Sequence, residues 1–435
     1  MSSSAGIMGG RYLRMGMLGA LTLAAVIGLH GRTASAASSC ITCHLEFDDP
    51  AIREPAVKFE EDVHNLRRLG CESCHGGNPA AGAEEGDPEL AHDPKMGFRG
   101  EPSPGEIPEF CGGCHSNVEF IKQYNPKQRV DQLLEYKSSH HGKLLASGEQ
   151  RVATCVSCHG VHGILPVKDT RSPVYKTNVA KTCAGCHGDT KLMASFGIPT
   201  NQFDLYKSSV HGHKLLEEGD LAAPTCNTCH GNHGATPPGL TSVSNACGEC
   251  HANNLAYFNE SPHKEAFAEM GIGECETCHG HHDVMHPDDD RIGVHEEAFC
   301  VRCHSEGDAG YAAAAVMGAG LDSLKRALWA AHEILDRAER GGVNVALGKF
   351  DLHSADDAVI KARTGVHYFD TTKFNAIIQT GLAETQNVMA LGEEAMHDLW
   401  LRRVGLMFTV PVILWVAIAL YLRIRRTERE QASNS

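Results

Sequence analysis

Nine times the chain repeats Cys-x-x-Cys-His: Cys40-Cys43-His44, Cys71-Cys74-His75, Cys111-Cys114-His115, Cys155-Cys158-His159, Cys183-Cys186-His187, Cys226-Cys229-His230, Cys247-Cys250-His251, Cys275-Cys278-His279 and Cys300-Cys303-His304. The pattern reads as covalent c-type haem attachment, in which two thiols form thioethers to the haem vinyls and the next imidazole takes one axial position on the iron. All 18 cysteines are used, and none is left over. Disulfides in an exported chain, or zinc held by paired thiols, compete with this reading. Neither requires a histidine straight after every second cysteine.

Each iron needs a sixth ligand, and the repeats around the cassettes nominate it. Tyr136-Lys-Ser-Ser-His-His141-Gly and Tyr206-Lys-Ser-Ser-Val-His211-Gly lead two closely related units, each with a Cys-x-x-Cys-His-Gly-x-His block followed by a plainer cassette. A further copy starts at Ser261-Pro-His263 and leads to Cys275 and Cys300. A fainter one starts at Asp62-Val-His64 and leads to Cys71 and Cys111. The mature chain is therefore one leading cassette followed by four two-haem units. Two aligned sets of histidine are the candidate distal ligands: His64, His141, His211 and His263 before the first cassette, and His162, His233 and His282 three residues beyond a cassette histidine. Asn78 stands where the first unit would have such a histidine. The Pro-, Gly- and acid-rich stretch of residues 79–108 that follows contains His92, the candidate there. His367 is the remaining candidate, with His295 as its rival.

Composition agrees with an interior filled by cofactor. Only ~30 residues separate successive cassettes and glycine is frequent, so a polypeptide core alone would be thin. The formal charge of −15 disfavours nucleic acid as a partner and suits basic redox partners.

The flanks determine the expected location. Arg11 and Arg14 precede an apolar stretch and Ala34-Ser35-Ala36, a secretory signal over residues 1–36. Residues 37–310 form the haem domain. Beyond it alanine rises, and Leu321, Leu324, Leu328, Ala331, Leu335 and Ala338 recur at helical spacing until Gly341-Gly342. A second helix is expected from Ser354, with Asp357 as capping partner, through Val359, Val366, Phe369, Ile377, Leu382, Val388 and Leu399. Residues 311–402 thus read as an antiparallel helical hairpin. Val404 to Leu422 is an unbroken apolar run, giving a membrane helix over residues 403–423 and a tail over residues 424–435. Arg423, Arg425, Arg426 and Arg429 outnumber Arg402 and Arg403, which puts the tail in the cytoplasm and the haem domain in the periplasm or outside.

With these cassettes, the trailing Gly-x-His and the Ser-x-x-His-Gly leader, residues 40–304 resemble the doubled Cys-x-x-Cys-His multihaem c-type cytochromes of bacterial respiration. The resemblance implies a mostly α fold with extensive irregular structure, packed around nine haem c groups of bis-histidine type that relay electrons. The quinol-oxidising tetrahaem relatives carry their anchor at the N-terminus, whereas this anchor is C-terminal. The expected role is a conduit between the membrane quinone pool, or an integral membrane redox protein, and periplasmic or outer-surface acceptors. The last cassette, Cys300-Cys303-His304, is the expected port on the membrane side. The alternative is a reductase or oxidase of small nitrogen or sulfur substrates with one open haem, but no cassette carries the Lys that nitrite reductases commonly place in the histidine position.

Overall fold

The computed structural model describes residues 38–81, 87–236 and 240–433. The signal expected over residues 1–36 lies outside them. Among the described residues every regular element is a helix and there is no strand. Two compact units partition the chain: Met1–Ala56 with Gly70–Phe98, and Val57–Leu69 with Arg99–Ser435.

In the first unit residues 87–98 fold back on the segment that follows the cassette Cys71–His75. Asp87 caps Pro88–Ala91 by accepting from the Glu89 and Leu90 amides, and Asp93 caps Pro94–Met96 through Lys95. The Gly77 and Asn78 amides donate to the Met96 and Ala91 carbonyls at 3.1 and 3.0 Å. Gly76 has φ +68°, and a Cβ there would collide with the Gly97 carbonyl, so the close approach needs glycine.

In the second unit the recurring leader has a local mechanical reason. Ser139 and Ser209, 0% and 1% exposed, cap the helices that carry His141 and His211. Each hydroxyl accepts from the amide of Gly142 or Gly212 and donates at 2.6 Å to the carbonyl of Tyr136 or Tyr206. A side chain at either glycine would strike that same tyrosine carbonyl. The tyrosine hydroxyls then donate to the Ala153 and Pro224 carbonyls, two residues before Cys155 and Cys226. The Tyr-x-x-Ser-x-His-Gly string is thus a brace from leader to cassette. Little apolar core accompanies it: the cluster in this region is Ala180, Tyr206, Leu215 and Ala223.

The C-terminal region differs from the expected hairpin. It comprises three helices, Ala309–Arg340, Ala346–Gly365 and Thr371–Ser433, and the last continues without a break through the apolar run. The first helix buries Leu321, Leu324, Ala331, Leu335 and Ala338 as its period requires, and Gly341 caps it. The second helix starts at Ala346 rather than Ser354, which leaves Asp357 inside it. What was read as the remainder of that helix is broken by the turn Val366–Tyr368 and by Phe369 in left-handed conformation. Asp370 restarts the chain by accepting from the Thr372 and Lys373 amides. The apolar period persists across the break because both arms face one core: Met317, Leu321, Leu324, Ala358, Val359, Ala362, Phe374 and Ile378.

Register follows from close contacts. Gly320 meets Phe374 and Ile378, Gly392 meets Ile334, and Gly341 meets Leu399, so the first and third helices run parallel. Gly365 meets Ile377 while Gly381 meets Ala358, so the second is antiparallel to the third. The third is the one helix among the described residues long and apolar enough to cross a membrane, and the side chains of its apolar run are exposed. Pro411 is accommodated within it.

Asp289 fastens this bundle to the haem-motif region. It is bound by Arg363 through two 2.8 Å hydrogen bonds and by Lys325 at 2.8 Å. The Arg363 guanidinium holds the Asp289 carboxyl down to about 2 against burial, with Lys325 adding to the effect. A carboxyl depressed on folding contributes stability that is complete above its unfolded pKa, near 4, and is lost as pH falls towards 2. Because both cations are partly exposed, the contribution is about 1–2 kcal/mol. Asp289→Ala is expected to raise hydrogen exchange across residues 346–365 at pH 7 by that amount, and the wild type should approach the variant as pH drops from 4 to 2. Identical exchange in both proteins at neutral pH would show that the clamp carries no weight.

Candidate haem centres

Each cassette histidine follows its second cysteine at the end of a short turn, such as Cys155–His159 or Cys226–His230, which places the two thiols on one face. The Thr154 and Thr225 amides donate to the Ser157 and Thr228 hydroxyls, bracing two of these turns from within.

Eight cassette histidines face a second histidine with ring centres 5.9 to 6.4 Å apart. His44 faces His92 at 6.1 Å, His115 faces His64 at 6.0 Å, and His159 faces His233 at 6.1 Å. His187 faces His141 at 6.2 Å, His230 faces His282 at 6.0 Å, and His251 faces His211 at 6.4 Å. His279 faces His367 at 6.2 Å and His304 faces His263 at 5.9 Å. His75 and His162 make interactions of their own outside these eight pairs.

The spacing has a chemical meaning. Two imidazoles on opposite sides of one metal, each with a metal–nitrogen bond of ~2.0 Å and a ring centre ~1.1 Å behind the nitrogen, put their centres roughly 6.2 Å apart. Among the described residues no group of three or more His, Cys, Asp or Glu converges to hold a metal ion. A porphyrin macrocycle would supply the remaining donors of a metal between two imidazoles, and adjacent thiols suited to thioether attachment accompany every pair. The residues therefore fit haem c.

Electrostatics suit ligation. Burial pushes the imidazoles of His115, His141, His159, His187, His211, His233, His263, His279, His282 and His367 below their usual range. These rings are neutral at pH 7, the form that binds a metal.

The pairing follows a rule that spacing along the sequence does not reveal. A leader histidine serves the second cassette of its own unit: His64 with His115, His141 with His187, His211 with His251, His263 with His304. A Gly-x-His histidine serves the unit before: His233 faces His159 and His282 faces His230, not the cassettes they follow. No further unit follows His279, and the bundle supplies His367 from the turn that breaks the expected hairpin. Its Nδ1 lies 3.0 Å from the Thr364 carbonyl and 3.3 Å from Asn254. His92, proposed from sequence for the first unit, instead faces His44 of the leading cassette, with Nδ1 2.9 Å from the Pro88 carbonyl and Phe98 against its ring. The rival His295 is in none of the eight pairs.

Cassettes also adjoin one another in chain order. First thiols adjoin one another across cassettes, Cys40 with Cys71 in the first unit, and Cys111 with Cys155, Cys183 with Cys226 and Cys247 with Cys275 in the second. The alternate neighbours are Cys158 with Cys186, Cys229 with Cys247 and Cys250, and Cys278 with Cys300 and Cys303. Seven cassettes of the second unit thus form one unbranched series from Cys111 to Cys300.

Sequence reasoning missed Asp62, which is 2% exposed. One oxygen lies 2.8 Å from His64 Nδ1, and the other accepts from the Gly163 and Ile164 amides at 2.7 and 2.8 Å. Burial opposes its ionisation, yet the hydrogen bonds from His64, Ile164 and Gly163 hold the carboxyl down to about 2. Its place two residues before His64 was the available signal.

Over 210 residues, 48% of its length, the chain is 22% identical to the C-type polyheme cytochrome OmcC of Geobacter sulfurreducens. The match covers 22% of that relative, so the chain spans less than a quarter of its length. No protein-family model and no solved structure matches the chain.

His211→Ala and His233→Ala each remove one imidazole from a pair without touching a cassette. With haem c bound, each variant is expected to keep the full covalent haem count and to convert one low-spin iron to high-spin in the electron paramagnetic resonance spectrum. Unchanged spectra for both would show that these pairs do not bracket a metal.

Proposed function

We propose that the chain is a membrane-anchored multihaem c-type cytochrome that holds nine haems and relays electrons between a membrane-associated partner and acceptors in the periplasm or at the cell surface. The observation that carries this reading is the set of eight imidazole pairs, each joining a cassette histidine to a histidine elsewhere at the separation one metal ion would impose. Haem c, when bound, supplies a one-electron iron couple at each position.

The chain's residues do the rest. At eight positions the paired imidazoles would hold the haem iron between them and leave water and small substrates no site, which favours electron relay over the reductase or oxidase alternative. The first cysteines of successive cassettes adjoin one another within each unit, so the haems attached to them would lie close together and each step would be short. The long C-terminal helix anchors the chain, and its arginine-rich end favours a cytoplasmic tail with the haem region outside.

Stoichiometry and closure are tested together. Intact mass and haem absorbance are expected to give nine covalent haems, and the reduced protein should bind negligible carbon monoxide. Stoichiometric carbon monoxide binding at one haem, with turnover of nitrite, hydroxylamine or tetrathionate, would favour the enzyme instead.

Asp62 offers a test at a single site. A carboxylate on the far nitrogen makes a ligating imidazole more basic, which stabilises the oxidised metal. Asp62→Asn is expected to leave the haem count unchanged and to raise the potential of one haem, with a tenfold change in its one-electron equilibrium corresponding to about 59 mV. A potentiometric titration that superimposes on that of the wild type would remove Asp62 from this role.

A further inference from the structure

The last cassette and the membrane span adjoin the same bundle but at opposite ends of it. His304 precedes the first long helix, which starts at Ala309, and that helix runs parallel to the third. His263, which faces His304, packs on Phe369 with ring centres 4.1 Å apart, and Tyr257 stacks on Tyr368 at 4.0 Å. All of this lies before Thr371, where the third helix begins. From Thr371 to Val404, the first residue of the apolar run, that helix is continuous. At a rise of 1.5 Å per residue it covers ~50 Å before the hydrocarbon starts. Three packed helices with buried cores along their length make this segment a stiff spacer rather than a tether.

We infer that the bundle is a stalk that holds the two haem positions at its far end, those of His279 with His367 and His304 with His263, ~50 Å above the bilayer. Electrons therefore reach this end of the series from a redox protein whose own centre stands in the aqueous phase at that height, and not from quinol dissolved in the bilayer. The inference rests on the haem reading above. Its physical basis is the steep fall of electron tunnelling with distance, which no single step across such a gap overcomes. The sequence order that suggested Cys300-Cys303-His304 as a membrane-side port is reversed in space, because the chain must travel the stalk again, through the third helix, before it enters the membrane.

The test uses the full-length, haem-loaded protein in lipid nanodiscs, with the covalent haem count taken first. Thr372→Cys and Leu401→Cys, both at exposed positions of the third helix, are each labelled with a nitroxide. Ferric haem is expected to accelerate spin relaxation at position 372, and that acceleration is expected to be lost at position 401. In parallel, a ruthenium photoreductant free in solution should reduce the haems after a flash, and the same complex tethered to a lipid headgroup should not, at equal driving force. Equal relaxation at both positions, or equal photoreduction yields, would overturn the stalk. A protein without covalent haem would instead show no acceleration at either position, which marks failure of the haem reading and not of the geometry.

Discussion

Two imidazoles held about 6 Å apart, one from a cassette and one from elsewhere in the chain, form the constraint on which the rest of the structure depends. Close packing is what repays the loss of conformational freedom on folding. Here the haem-motif region has one small apolar cluster, around Leu215 and Tyr206, whereas the C-terminal bundle has two extended ones. In the proposed reading the macrocycles supply the missing interior. The polypeptide's share is then to fix the edges of each gap, and its local devices are suited to that. Ser139 and Ser209 cap the leader helices, Tyr136 and Tyr206 tie them to the next cassette, and Gly142 and Gly212 let the backbones touch.

The pairing rule turns separate units into an interlocked series. His233 reaches back to His159 and His282 to His230, so a unit is complete only when its successor has folded against it. This is the logic of repeat proteins, in which each copy contacts its neighbours and the last copy needs a cap. The bundle is that cap. It contributes His367 opposite His279, sets Phe369 on His263, and grips Asp289 through Lys325 and Arg363. The left-handed Phe369 and the short turn before it are strained or irregular for this reason: a straight helix through residues 354–399 could not deliver an imidazole at that point.

The same bundle joins two demands that seldom meet in one element. In the proposed reading its far end completes haem positions, and its near end carries the apolar run that enters the membrane. One helix of 63 residues does both, and the two shorter helices stiffen the part between.

The sequence by itself determined what is local. Thiol and imidazole at fixed spacing declare their chemistry within a single turn, and so Cys40 to His304 were legible without a structure. The aligned histidines were legible as candidates because the repeats exposed them, and Leu321 to Ala338 as a buried stripe because a helix has one period. Tertiary structure alone decided which imidazole faces which, since the partners of His159, His230 and His279 come from the next unit or from the bundle, and nothing in spacing encodes that offset. It also decided the break at Val366–Tyr368, which apolar periodicity cannot register when both arms pack on one core. Finally it set the helix that follows His304 parallel to the one that carries the apolar run, because order along a chain gives no direction in space until the helices that follow have been packed.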